Sequence, residues 1–306
     1  MRVLVTGGAG FIGSNIVKEL EDKNAKVSVL DDFSSADFRN LEGFKGELII
    51  GDICDEEVFK KIPKVEIVIH QAAVTDTTFP DDKKMLLVNY EGFKNVLKFC
   101  VKKNIKKIVY ASSAGVYGKG PVPMKESQKL DPLNTYAYSK FLCDKKASEL
   151  MKKERSLKII GLRYFNVYGK GEAHKGKSAS MIYQLYLQMR DNKNPKIFKY
   201  GEQKRDFVYV KDVVKVTLKA LNLNKSIILN VGTGNPRSFN DIIKILNKFL
   251  KKDLEPEYFD NPYEKVYQDF TQADTSLLKK TLGFIPHTQL EEGIKEYLIL
   301  LGEALQ

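Results

Sequence analysis

The stretch Arg2-Val3-Leu4-Val5-Thr6-Gly7-Gly8-Ala9-Gly10-Phe11-Ile12-Gly13-Ser14 decides the fold. Its first five residues read as a strand, a glycine-rich turn follows, and a helix is expected from about Ser14. Gly7 suits the tight turn, Gly10 lets a ligand approach the backbone, and Gly13 lets helix and strand pack closely. The N–H groups around Phe11 and Ile12 then lie at the positive end of the helix dipole, where a pyrophosphate is favoured. An acid, Asp31, ends the second apolar run 18 residues after Gly13, and Asp32 follows it. A carboxylate there suits a ribose hydroxyl, so the pattern predicts a dinucleotide site.

Working outward, short apolar runs alternate with helical patterns. Strands are expected at Lys26–Leu30, Leu48–Ile50, Glu66–Ile69, Lys107–Tyr110 and Leu157–Arg163, with helices near 55–62, 83–103 and 135–153. Near-continuous apolar strands separated by helices predict an α/β fold with a doubly wound parallel sheet, Rossmann-like. After about 165 the pattern loosens into short strands and helices near 179–191, 239–251 and 290–301. We therefore expect a dinucleotide-binding domain over 1–165 and a smaller substrate-binding lobe over 166–306, with about 206–232 packing back on the first domain.

Composition narrows the partners. The 306 residues carry 50 Lys+Arg against 39 Asp+Glu, a net charge of +11. The lysines are scattered in pairs such as Lys102-Lys103 and Lys279-Lys280, and no basic run interleaves with aromatics. That reads as a solvated surface with a bias toward anionic small molecules, and not as a nucleic-acid binder. No apolar run approaches the roughly 18 residues of a bilayer span, and strand-like sequence starts at Arg2, so a cytoplasmic protein without membrane contact is expected. Cys54, Cys100 and Cys143 are odd in number and widely spaced, which suggests neither a disulfide framework nor a metal site. His70 and His287 show no partner pattern and are expected in the core or on the surface.

Tyr136-Ala137-Tyr138-Ser139-Lys140 places a phenol and an ammonium four residues apart on one helix face. The cation favours the phenolate, the form that can take a proton from a hydroxyl. Upstream, Tyr110-Ala111-Ser112-Ser113-Ala114-Gly115-Val116-Tyr117-Gly118 ends a strand with Ser113 at the carboxyl edge of the sheet, where it can donate a hydrogen bond to a reacting oxygen. Tyr138 is expected to serve packing.

The glycine spacing of TGGAGFIGS, followed by Ser113, Tyr136 and Lys140 in that order, resembles the extended short-chain dehydrogenases, the NAD-dependent epimerase/dehydratase family. The resemblance implies further cofactor contacts at Asp52, Ile53, Gln71, Ala72, Ala73, Asn89 and Val167. The dehydratase members carry an acid beside the serine, whereas Ala114 and Gly115 stand here, so an epimerase is expected. Four later segments (Arg163–Gly169, His174–Ser180, Lys204–Val210, Tyr267–Asp274) look like the branch of the family that epimerises carbon six of ADP-heptose, a precursor of the lipopolysaccharide inner core.

By that resemblance Asn166, Lys177, Gln184, Arg205 and Tyr267 hold the substrate and Lys175 is a second acid/base, while His174 stands beside the cleft. Arg205 suits a diphosphate, since its planar fork grips two oxygens. The 4-epimerases of UDP-sugars share much of the pattern and form the alternative, with a catalytically inactive NAD-binding protein a third. One departure stands out: that branch usually has Gly-Pro-Arg where this chain has Gly169-Lys170-Gly171. Many of its members use NADP, but Asp31, Asp32 and Asp37 would repel a 2′-phosphate, with Arg39 the one residue able to offset them. NAD is expected, with NADP possible, in a homo-oligomer.

Overall fold

Seven strands form one wholly parallel sheet in the computed structural model, which describes residues 1–263 and 267–304. They are β1 (Arg2–Thr6), β2 (Lys26–Asp31), β3 (Glu47–Ile50), β4 (Ile67–His70), β5 (Lys107–Ser113), β6 (Lys158–Tyr164) and β11 (Ile227–Val231). The order β11-β6-β5-β4-β1-β2-β3 reverses direction between β1 and β4, so a crevice opens at their carboxyl ends. Val3, Leu4 and Val5 are all fully buried, because helices cover both faces.

Strand alternation divides the interior into two cores. Val3 and Val5 point to the face packed with Ile16, Val17 and Leu20 of α1 (Phe11–Asp22) and with Val213 and Val216 of α6 (Val210–Ala220). Leu4 points to the other face, against Phe93, Val96 and Leu97 of α3 (Gly92–Lys102) and Cys143 and Ala147 of α4 (Thr135–Lys153). The helix over 135–153 appears as expected, its first turn capped by the Asn134 side chain, which accepts from Ala137 N–H at 2.9 Å.

Two expectations need correction. The helix near 55–62 is a five-residue 3₁₀ turn, Glu56–Lys60, capped by Asp55, with Pro63 too close behind for a longer helix. The helix over 83–103 is interrupted: α2 (Asp82–Leu86) runs into a π turn, Leu87–Glu91, before α3. The wide turn rotates Asn89 inward, where it is 1% exposed.

Beyond β6 the described residues build three two-stranded pairs. β7 (Asn166–Tyr168) runs parallel to β10 (Phe207–Tyr209), β8 (Lys196–Phe198) parallel to β13 (Glu257–Phe259), and β9 (Lys204–Arg205) antiparallel to β12 (Arg237–Ser238). Helices α5 (Met181–Arg190), α7 (Phe239–Leu250), α8 (Ser276–Leu282) and α9 (Leu290–Leu300) complete the fold. The stretch 206–232 returns to the sheet: β11 pairs with β6 from Ile227↔Ile160 to Val231↔Tyr164, and α6 lies on α1.

A buried polar network braces that junction. Arg163 donates to Asp144 at 2.8 Å and to the Tyr117 hydroxyl at 2.8 Å; Tyr117 donates to Asn230 at 2.6 Å and Tyr110 to Asp144 at 2.9 Å. Cys100 and Cys143 are buried, His70 is a core residue bonded to Thr6, and His287 is exposed. Among the described residues no helix is long and apolar enough to cross a membrane, and no acid, His or Cys cluster could hold a metal ion.

Candidate active site

The turn between β1 and α1 is built to receive an anion. Gly7 adopts φ of +68°, and a Cβ there would lie 2.5 Å from Ala72 N. At Gly13 a Cβ would come within 2.0 Å of Gly7 O, so the helix starts tight against the turn. Gly10 differs, since its Cβ would meet only Gly7 O at 3.3 Å. No protein packing demands glycine at position 10, which leaves the approach of a ligand as the reason for it. No side chain caps α1, and among the described residues the N–H groups of Phe11 and Ile12 have no acceptor. These groups fit a dinucleotide's pyrophosphate.

Asp31 sits at the tip of β2 and accepts from Ala9 N–H at 2.9 Å and from Phe33 N–H at 3.0 Å. Burial pushes its carboxyl above the usual range, and these two donors pull it back. Asp32 accepts from Ser34 N–H and Oγ, at 3.0 and 2.7 Å. Arg39 grips Asp37 through Nε and one terminal nitrogen at 2.5–3.0 Å, and that clamp holds the Asp37 carboxyl down at about 2. The Arg39 guanidinium, the group that could have met a 2′-phosphate, is thus paired with a carboxylate.

Asn40 next to it bridges three groups: its Nδ2 reaches Ala9 O at 3.0 Å, Gly171 O at 3.3 Å and His174 Nδ1 at 3.2 Å. Asn15 likewise joins Phe11 O and Lys170 O, both at 2.8 Å. The Gly169–Gly171 departure is therefore docked onto the glycine turn, and Gly171, at φ of +97°, has a backbone that an arginine there would adopt only with strain.

At the catalytic end, Ser113 closes β5 and accepts from Gly115 N–H at 3.1 Å. Tyr136 stands half-buried in the first turn of α4. Lys140, 3% exposed, donates to Ala111 O at 3.0 Å with its ammonium 5.9 Å from the Tyr136 ring centre. Asn89 reaches Val74 N–H, Val74 O and the Ser139 hydroxyl at 2.8–3.0 Å, tying the loop after β4 to α4. Its amide is spent on protein, and the loop it holds also carries Ala72 and Ala73. Gln71 donates to the Tyr164 hydroxyl at 3.3 Å. Asp52 caps Cys54 N–H at 2.8 Å, and the Ile53 side chain is buried while its carbonyl accepts from Asn95 at 3.2 Å. Tyr138, expected in packing, is exposed on α4, with its ring centre 6.0 Å from that of Phe141.

Arg205 of β9 is 7% exposed, yet among the described residues no carboxylate pairs with it. Its guanidinium lies 4.7 Å from the Tyr267 ring centre and 5.8 Å from that of Phe239, and it makes one bond to Lys204 O at 3.1 Å. A buried, unpaired cation held by aromatic faces is suited to an anion. Asn166 is exposed beside Thr271, Val167 is half-buried in β7, and Lys177 is exposed. Gln184 donates through Nε2 to Lys177 O at 3.1 Å and Ala179 O at 2.7 Å, so its amide nitrogen anchors the loop.

Lys175 is carried by the 3₁₀ segment Ala173–Ser178, with its ammonium 6.0 Å from the centre of the Phe11 ring. Sequence reading passed over Glu172, which is 1% exposed and accepts from Gly169 N–H at 3.0 Å, Ser180 N–H at 2.6 Å and the Ser180 hydroxyl at 2.9 Å. An acid directly after Gly171 and three residues before a candidate lysine was the available signal.

The assembly of a pyrophosphate turn, a Ser–Tyr–Lys group and an unpaired arginine around one crevice defines a dinucleotide-dependent enzyme acting on an anionic substrate. The chain belongs to the NAD dependent epimerase/dehydratase family, whose model matches residues 3–232, with the chemistry of a sugar-nucleotide epimerase and NAD as its cofactor. It is similar to the ADP-L-glycero-D-manno-heptose-6-epimerase of Helicobacter pylori, at 38% identity and a TM-score of 0.91 over 99% of this chain and 96% of that one. It is also similar to the UDP-glucose 4-epimerase of Thermotoga maritima, solved with UDP-glucose, at 32% identity and a TM-score of 0.92 over 99% and 100%. A third similar structure is the UDP-N-acetylglucosamine 4-epimerase of Methanobrevibacter ruminantium in complex with UDP-N-acetylmuramic acid, at 30% identity and a TM-score of 0.91 over 98% and 97%.

Proposed function

We propose that the protein interconverts ADP-D-glycero-D-manno-heptose and ADP-L-glycero-D-manno-heptose, inverting carbon six of the heptose for lipopolysaccharide precursor synthesis. The observation that carries this reading is Lys175. A second amine lies beside the Phe11 ring, at the cofactor end of the crevice and on a different element from Tyr136. Inverting a carbinol with no neighbouring carbonyl requires transient oxidation, and bound NAD supplies a hydride acceptor that returns the hydride. Tyr136 takes the hydroxyl proton on one side, with Ser113 donating to the same oxygen and Lys140 supplying positive charge. Inversion requires the carbonyl to turn its other face toward the nicotinamide by rotation about the C5–C6 bond. Lys175 serves the oxygen in that second orientation, so the sugar ring itself need not turn over. Arg205, together with Lys177 and Asn166, binds the diphosphate and orients the sugar, and Tyr267 buttresses the guanidinium.

Incubation with ADP-D-glycero-D-manno-heptose, followed by proton NMR, should show equilibration with the L-glycero epimer. Rapid conversion of UDP-glucose to UDP-galactose with no change in the heptose would replace this reading with a 4-epimerase, which the Thermotoga maritima similarity favours. Absence of both reactions would point to an inactive NAD-binding protein.

We also propose NAD over NADP, on the Arg39–Asp37 clamp beside Asp31 and Asp32. Nucleotide released by denaturing the purified protein should be NAD, and mostly NADP would overturn the charge argument.

A further inference from the structure

Glu172 is a carboxylate in an unusual position. It is almost wholly buried and has no ion-pair partner within 4 Å among the described residues, and its three hydrogen bonds all go to Gly169 and Ser180. Those two residues are the ends of the loop that carries Lys175. A buried charge is costly unless its donors are fixed, so a glutamate at this place commits the loop to one shape.

Lys175 itself lies off the glutamate's hydrogen bonds, with its ammonium facing the Phe11 ring at 6.0 Å. Burial pushes that ammonium below its ordinary range, while Glu172 and then Asp76 oppose the shift. Asp76 arrives from the loop after β4, where it accepts from Thr78 N–H at 2.8 Å and from the Thr78 hydroxyl at 2.7 Å. The remaining charged or titratable groups facing this cluster are His174, lowered by burial and by Lys175, and the buried Tyr297 hydroxyl beside Glu172.

We propose that Glu172 is a positioning residue for Lys175: it clamps both ends of the 169–180 loop and, with Asp76, supplies the negative field in which Lys175 holds and gives up its proton. This rests on the reading of Lys175 as the second acid/base. Three donors converge on Glu172, and a glutamine could not accept all of them without turning its own NH2 toward an N–H. A purely structural clamp would stabilise the loop without altering how Lys175 titrates. The two roles therefore separate by measurement.

The test is competitive acetylation of the full-length, NAD-loaded enzyme at a series of pH values, with Lys175 reactivity read by mass spectrometry, beside kcat and KM for the heptose substrate. In Glu172→Gln the midpoint of Lys175 reactivity should fall by roughly half to one pH unit, a three- to tenfold change in proton affinity. The value of kcat should fall tenfold or more, with KM changed less. Glu172→Asp should restore most of the midpoint through its charge, and Asp76→Asn, which leaves the clamp intact, should lower the midpoint by a smaller step. An unchanged midpoint in both Glu172→Gln and Asp76→Asn would overturn the proposal, and if Glu172→Gln does not fold, the Asp76→Asn midpoint decides alone. Failure of the underlying reading has a different signature: Lys175→Met would turn over at the wild-type rate while the midpoint shifts still occurred.

Discussion

Replacing Gly10 by alanine tests whether the turn between β1 and α1 binds the cofactor's pyrophosphate, because the structure gives this glycine no other duty. Its Cβ would meet Gly7 O at 3.3 Å, a contact relieved by a few tenths of an ångström. The loss of glycine at the helix N-cap adds a small term, so the cofactor-free protein should be destabilised by about 1 kcal/mol or less. NAD at about 100 times its Kd stabilises the native state by about 2.7 kcal/mol. For a chain of this size that raises Tm by several degrees. A methyl group in the pyrophosphate's path that weakened binding a hundredfold would reduce the same term to about 0.4 kcal/mol.

Gly13→Ala is the control with the opposite profile. Its Cβ would sit 2.0 Å from Gly7 O, which is fixed backbone, so the fold itself should lose about 1–3 kcal/mol or more. Nucleotide-stripped wild type, Gly10→Ala and Gly13→Ala would be melted with and without NAD, and binding measured by calorimetry. Gly10→Ala should keep its Tm and lose most of the NAD-induced rise. If it keeps the whole rise, the pyrophosphate does not pass this glycine and the reading of the turn is wrong.

Three further outcomes are expected. Asp144→Asn leaves the buried Arg163 guanidinium without its counter-charge and should cost about 3–5 kcal/mol in urea denaturation, while wild-type-like stability would show the network to be dispensable. Arg205→Met should raise KM for the nucleotide sugar at least tenfold with a smaller effect on kcat, and a change in kcat alone would remove the diphosphate role. Burial and then Lys140 hold the His70 imidazole down at about 3, far below its value in an unfolded chain. The unfolded state therefore binds the extra proton, and stability should fall by up to roughly 1.4 kcal/mol per unit as pH drops from about 6.5 toward 3. The non-titrating His70→Asn should lose that slope, measured by denaturation across the range.

The sheet was legible because each central strand is buried on both faces and so reads as an unbroken apolar run. Helix α4 was legible because its cap and its Tyr136–Lys140 face lie within a few residues of each other. The same holds for the glycine turn, whose function depends on spacing along the chain. What sequence did not disclose depends on partners distant in the chain. Asn40 meets Gly171 and His174 across more than a hundred residues, and Glu172 matters only once the 169–180 loop closes around it. The π turn that swings Asn89 inward leaves no periodic trace, since the apolar pattern runs on through it. Gln184 was read as a ligand for substrate, but its two carbonyl partners are fixed only by the curl of that loop.

The return of β11 to the sheet edge bears on how the polypeptide could be dissected. A fragment ending near residue 165 would leave the five ladder positions of β6, from Ile160 to Tyr164, unpaired and would strip α6 from α1. An uncovered edge of that length, with its N–H and C=O groups free on one side, invites intermolecular strand addition, so such a fragment should precipitate instead of yielding a small cofactor-binding module. The chain between β6 and β11 behaves as an insertion into a sheet that is not finished until Val231, and splitting or permuting the protein requires a breakpoint that keeps both flanks of that insertion.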